Sequence, residues 1–123
     1  MYEGSRSPLS VKSEAFAGRV VKMVQHLHEK GNKHLASVYN QISRSGTSIS
    51  ANIGESQFAQ SPADFITKLH IALKEASETR RWLNVLKEGQ CITPLQHECQ
   101  QIWMKSLRCL LLPLKHQRKI KVL

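Results

Sequence analysis

The sequence predicts an all-α protein, an antiparallel up-down-up-down four-helix bundle. Three observations carry this. Apolar residues recur three and four apart along most of the 123 residues, which is the helical period. β-branched residues nowhere alternate with polar ones over the length of a strand. Helix starts and stops punctuate the chain at Gly31-Asn32, Ser61-Pro62, Gly89 and Thr93-Pro94, leaving short connections, which place successive helices side by side and antiparallel.

The first helix is expected over about residues 9–30, after a short N-terminal arm, with Ala15, Phe16, Val20, Met23, Val24 and Leu27 as its apolar stripe. Gly31-Asn32 suits a left-handed C-terminal cap. The second is expected over 33–58, its inward positions being Leu35, Val38, Ile42, Ser45 or Gly46, Ile49 and Ile53. That stripe crosses Gly46 without losing phase. Glycine in mid-helix costs about 1 kcal/mol against alanine, yet it lets another backbone approach closely. With Ser45, Thr47, Ser48, Ser50 and Ala51 it makes a small-residue surface.

The third helix, over 62–88, has the strongest start: Ser61 as N-cap, Pro62 where a missing N–H costs nothing, and Asp64 near the positive end of the dipole. Its stripe is Phe65, Leu69, Ala72 or Leu73, Ala76, Leu83 and Leu86. The fourth, over 94–116, opens on Thr93, Pro94 and Gln96 with capping-box spacing and continues through Leu95, Cys99, Ile102, Trp103, Leu107, Leu110 and Leu111. Pro113 kinks or ends it, leaving a basic tail. The whole reads as a single domain, long enough to bury roughly two-thirds of its unfolded surface without disulfides or metal.

If the second and third helices fold back about residues 59 and 60, Ile53 faces Ile66, Ile49 faces Leu69, Gly46 faces Leu73 and Ile42 faces Ala76. A polar stripe, Arg44, Ser48, Asn52 and Glu55, then runs beside Lys68, Ala72, Glu75 and Thr79, with Arg44 level with Glu75. A guanidinium and a carboxylate so placed can pair across the hairpin and fix its register or cover a seam between helices or subunits. Glu75 and Glu78, three apart, superficially resemble an acid/base pair, but Lys74, Arg80 and Arg81 make a salt-bridged surface the simpler reading.

The formal charge is +9 at 14.0 kDa, with a pI near 9.8. Six of the nine excess charges lie in residues 99–123, where Lys105, Arg108, Lys115, Arg118, Lys119 and Lys121 stand without an acid. A polyanion is the expected partner, and these six, aided by Arg80, Arg81 and Lys87, are the expected phosphate contacts.

Other chemistries are unsupported. No phosphate-loop, dinucleotide, zinc-protease or nucleophile-elbow motif occurs, so no enzyme and no cofactor are expected. His26 and His28 are two apart and read as surface imidazoles; Cys91, His97 and Cys99 are poorly spaced for a metal. Three cysteines without a C-x-x-C indicate reduced thiols. The longest apolar run, Cys109 to Leu114, is six residues and contains Pro113, far short of a membrane span, so a soluble cytoplasmic protein with no membrane partner is expected. The sharpest rival is a helix-turn-helix repressor, turning at Gly46 and presenting Thr47, Ser48, Ser50 and Asn52 to a DNA major groove. Against it, the apolar phase is unbroken at Gly46 and no Arg or Lys lies between residues 45 and 67.

The runs Arg44-Ser45-Gly46-Thr47-Ser48-Ile49-Ser50-Ala51-Asn52-Ile53, Gln60-Ser61-Pro62-Ala63-Asp64-Phe65-Ile66 and Ile71 to Arg80, followed by Trp82-Leu83, resemble a bacterial four-helix-bundle family. It includes proteins encoded in intervening sequences of large-subunit ribosomal RNA genes and the accessory variability proteins of diversity-generating retroelements. The resemblance is dense over residues 42–86 and loose elsewhere. It implies a pentameric barrel of four-helix bundles without known catalysis and, in the retroelement branch, a basic surface engaging reverse transcriptase and its RNA or RNA/DNA hybrid. It assigns Arg44, Ser45, Gly46, Asn52, Lys74 and Glu75 architectural roles, to which the polar stripe adds Glu55. Gly54-Glu55 departs from the family pattern and is expected to loosen the end of the second helix. A ring of five would carry about five times +9 and attract polyanions without reading bases, which favours the retroelement branch.

Overall fold

The structure, a computed structural model, describes residues 7–93 together with Gln101 and Lys105. Gln101 and Lys105 are helical; the rest of the expected fourth helix and basic tail lies outside the described residues. Among the described residues there are three α-helices, one short 3-10 turn and no strand.

Helix α1 (Pro8–Lys30) opens on Ser7, whose Oγ accepts the Ser10 N–H at 3.1 Å. It buries Ser10, Ser13, Phe16, Val20, Val24 and Leu27. Ala15, expected in the stripe, is exposed, and Met23 is half-buried; Ser13 takes the inward place instead, its hydroxyl donating to Ser10 O at 2.9 Å. No left-handed cap closes α1: Gly31 has φ −88°. The glycine is required for space, because a Cβ there would lie 2.5 Å from Leu27 O and 2.6 Å from the Tyr39 hydroxyl.

Asn32 accepts the His34 N–H at 2.9 Å and starts a 3-10 turn, Lys33–Leu35, so helix α2 (Ala36–Ser56) begins three residues later and ends two residues earlier than periodicity indicates. It runs unbroken through Gly46 and Gly54, which removes the turn a helix-turn-helix reader needs. Helix α3 (Pro62–Glu88) has the expected cap: Ser61 Oγ accepts the Asp64 N–H at 3.0 Å, and Asp64 Oδ2 accepts the Gln60 N–H at 3.1 Å.

Helix α2 packs along both α1 and α3, while α1 and α3 share no comparable interface among the described residues. Consecutive residues of α2 therefore serve different neighbours, since they point about 100° apart. Ser45 meets Thr79 of α3, and Gly46 meets Val20 of α1, not Leu73 of α3 as the simple hairpin pairing implies. The core is Phe16, Val20, Val24, Leu27, Tyr39, Ile42, Ile49, Ile53, Leu69, Ala72, Leu73, Ala76, Leu83 and Leu86. Tyr39, absent from the expected stripe, is fully buried, and Phe65, which belongs to it, is exposed.

Candidate nucleic-acid interface

The α2 and α3 seam carries its polar residues as ladders along the helices. The Ser48 hydroxyl donates to Arg44 O at 2.6 Å and Asn52 Nδ2 donates to Ser48 O at 2.8 Å, so these side chains satisfy their own helix. Arg44 Nη1 donates to the Glu75 carboxylate at 3.3 and 3.4 Å, as its level with Glu75 predicts. Its Nη2 donates to Glu78, whose carboxylate also accepts the Trp82 indole N–H at 3.2 Å. The Arg44 guanidinium first, and the indole second, hold the Glu78 carboxyl below the ordinary carboxylate range; in return Glu78 and Glu75 raise the pKa of Arg44. Glu55 accepts from Lys68 Nζ at 2.9 Å and raises the lysine pKa. The partner of Glu75 and Glu78 is thus Arg44 across the seam.

Beneath this surface network, the hydroxyls of Ser45 and Thr79 lie 2.8 Å apart and fully buried. Thr79 Oγ1 is also 2.8 Å from Glu75 O, so the pair sits in the core without an orphaned polar group.

Apart from Lys68, which pairs with Glu55, the Lys and Arg residues of α3 fall in two rows. Lys74 and Arg81 are seven apart, as are Arg80 and Lys87, so each pair shares a face at about 10 Å spacing. Lys74, Arg81 and Lys87 are exposed and Arg80 is half-buried. Lys105 is exposed. Arg108, Lys115, Arg118, Lys119 and Lys121 lie outside the described residues.

A second polar region, rich in His and Lys, lies beyond those expected from the sequence. The end of α1 and the turn after it carry His26, Lys30, Lys33 and His34, all exposed, with His28 half-buried. His28 packs edge-on against Tyr39 and lies 3.1 Å from Asn40 Oδ1, so it is more than a solvated imidazole. Beside this region is a cavity of ≈ 390 Å³ between the last turn of α1 and the segment from Gln90 to Thr93. The density of His and Lys over residues 26–34 was a readable signal; the cavity was not.

Among the described residues no group of three or more His, Cys, Asp or Glu side chains is placed to hold a metal ion, and no helix is long and apolar enough to cross a membrane.

Residues 9–109 match the profile of the 23S rRNA-intervening sequence protein family. The chain belongs to this family. A similar solved structure is that of a protein of unknown function from the S23 ribosomal protein family of Bacteroides thetaiotaomicron VPI-5482. It is 43% identical, with a TM-score of 0.79, over 85% of this chain and 95% of that one. No curated protein matches the sequence. As a member of the 23S rRNA-intervening sequence protein family, the chain shares with it the region from α1 through α3. Lys115, Arg118, Lys119 and Lys121 follow the matched region.

Proposed function

We propose that this protein is a non-catalytic, cytoplasmic scaffold for RNA: a cationic four-helix bundle that assembles as a homopentamer. In its finer form, it is the accessory variability protein of a diversity-generating retroelement. There it holds template RNA, or an RNA/DNA hybrid, against reverse transcriptase, raising the effective concentration of one for the other.

The carrying observation is how charge is distributed over the helical frame. Glu55, Glu75 and Glu78 are engaged by Lys68 and Arg44, whereas Lys74, Arg81, Lys87 and Lys105 are exposed in a chain of net charge +9. Such a field favours polyanions irrespective of sequence. The fourth helix is supported by the layout. With α1 and α3 on separate flanks of α2, a seat remains between them, and Gln101 Nε2 lies 3.4 Å from Asn84 Oδ1 of α3.

The test is RNA binding by fluorescence anisotropy across a salt series. Affinity is expected to fall by about 0.7 to 0.9 in log–log slope per phosphate neutralised. Reversing charge at Arg118 and Lys119 lowers affinity and flattens the slope; RNA binding unchanged by both reversals rejects the tail's role. Native mass reads the assembly, five subunits against the two of a DNA-binding dimer. The family match favours a second reading, a protein encoded in an rRNA intervening sequence. Neighbouring genes separate the two: a reverse transcriptase with a repeat pair, or an rRNA operon.

A further inference from the structure

We propose that the exposed flank of α1 carrying Lys12, Arg19 and Lys22 is a contact for the phosphate backbone of double-stranded RNA, separate from the cations of α3 and of the tail. The inference rests on the RNA-binding reading above and names the form of RNA that this surface takes.

Helix geometry segregates the charge of α1. Successive residues point about 100° apart, so Lys12 and Arg19, seven apart, share one line along the helix. Lys22 stands beside that line, one turn beyond Arg19, and all three are exposed. Lys30, also exposed, falls on the same side, so the four basic residues of α1 occupy one flank. Glu14 points to the opposite side from Lys12 and Arg19. Glu29 borders only the last turn, where it accepts from Gln25 Nε2 at 3.2 Å. From Lys12 to Lys22, about 15 Å of helix at 1.5 Å per residue, the flank carries only positive charge.

Helix α2 does not neutralise it. It meets α1 through Val20, against Gly46, and through Ser13, whose hydroxyl lies 3.5 Å from that of Ser50; both are set about 100° round from the cationic line. The one acid of α2, Glu55, is engaged by Lys68. Lys12 and Lys22 enter no ion pair among the described residues, so their charge is available to an outside anion.

The chemistry of the flank selects the form of the partner. Phe16, the sole Phe, Tyr or Trp of α1, is 5% exposed and belongs to the core, so the flank has no ring on which an unpaired base could stack. What it offers is long side chains ending in cations, which suit phosphate oxygens irrespective of base. A straight helix holds Lys12 and Arg19 about 10 Å apart. A duplex presents its phosphates in an equally regular array, and at higher charge density than a single strand, so each neutralised phosphate releases more counterion. A lipid surface would require large apolar side chains among the cations, and the apolar residue exposed among these is Ala15.

The test uses the full chain, a mixed-sequence RNA duplex and its separated strands. Lys12→Gln combined with Lys22→Gln removes two charges from the flank. Ser37→Glu combined with Gln41→Glu changes the net charge by the same amount at exposed positions of α2, where Gln41 accepts from Arg44 Nε at 3.2 Å. The lysine variant is expected to lower the log–log salt slope of duplex binding by about 0.9 for each lysine, and the control to leave it unchanged. A footprint on the parent needs no variant to fold: the duplex should protect Lys12 and Lys22 from acetylation, read by peptide mass mapping, more than the separated strands do. Equal loss of slope in the two variants, lysines left unprotected, equal protection by the strands, or tighter binding to phosphatidylserine vesicles than to the duplex each overturns the α1 contact while leaving the RNA scaffold standing. Failure of the parent to bind duplex or strand overturns both.

Discussion

A Cβ built on Gly46 of α2 would lie 2.7 Å from the Cγ1 methyl of Val20 on α1, so the two helices meet where one side chain has been reduced to a hydrogen. One residue earlier, Ser45 touches Thr79 of α3 from the other flank. Two successive positions thus set the approach of both neighbours.

Gly46→Ala is expected to destabilise. The helix-propensity gain is about 1 kcal/mol, against roughly 1–3 kcal/mol for forcing a methyl into a packed core, and Val20 is 2% exposed. Gly18→Ala should do the opposite, stabilising by about 0.5–1 kcal/mol, because nothing lies within 4 Å of the place its methyl would take. Urea unfolding of both variants decides, and shifts of the same sign would contradict the close contact. Adding Val20→Ala to Gly46→Ala should give less than additive loss.

Thr79→Val removes a hydroxyl placed between Ser45 and Glu75 O and leaves Ser45 with a longer approach, 3.4 Å, to Ile42 O. A loss of about 1–2 kcal/mol is expected. Ser45→Ala should cost less, since Thr79 retains its carbonyl. Melting curves of the two variants test that order.

The link between Arg44 and Glu78 predicts a pH signature. The folded-state pKa of Glu78 is depressed, so its contribution is present above the ordinary carboxylate pKa and disappears as pH falls through the depressed value. The groups are largely solvated, which limits the pair to about 0.5 kcal/mol. The stability gap between the parent and Arg44→Met should therefore narrow from about pH 6 to about pH 3, as measured by urea titration at each pH. A gap constant over that range would refute the pairing.

Gly31→Ala should cost roughly 1–3 kcal/mol, because its methyl meets a backbone oxygen and the buried Tyr39 ring. The near-ultraviolet circular dichroism of the folded variant should change with the ring's displacement; an unaltered spectrum and stability would show that the turn has room.

The bounds of α3 were legible because Ser61, Pro62 and Asp64 carry their signal locally, and the level of Arg44 with Glu75 followed from helix geometry alone. The passage of α2 through Gly46 followed from apolar phase. Other features depend on which helix lies on which flank. Gly46 faces Val20 because α2 is central, and Thr79 looked like a surface polar residue until its hydroxyl met Ser45. A glycine kept for room, Gly31, reads the same as one kept for a left-handed turn. The cavity joins residues far apart in the sequence, so nothing local announced it.

The central position of α2 also bears on how the chain is made. Each of its two interfaces joins helices that are consecutive in sequence, and such local contacts close quickly. As the polypeptide leaves the ribosome, α1 can dock as soon as α2 emerges, and α3 can then zip onto a finished pair. Among these three helices no interface has to wait for a distant segment, which shortens the exposure that feeds aggregation.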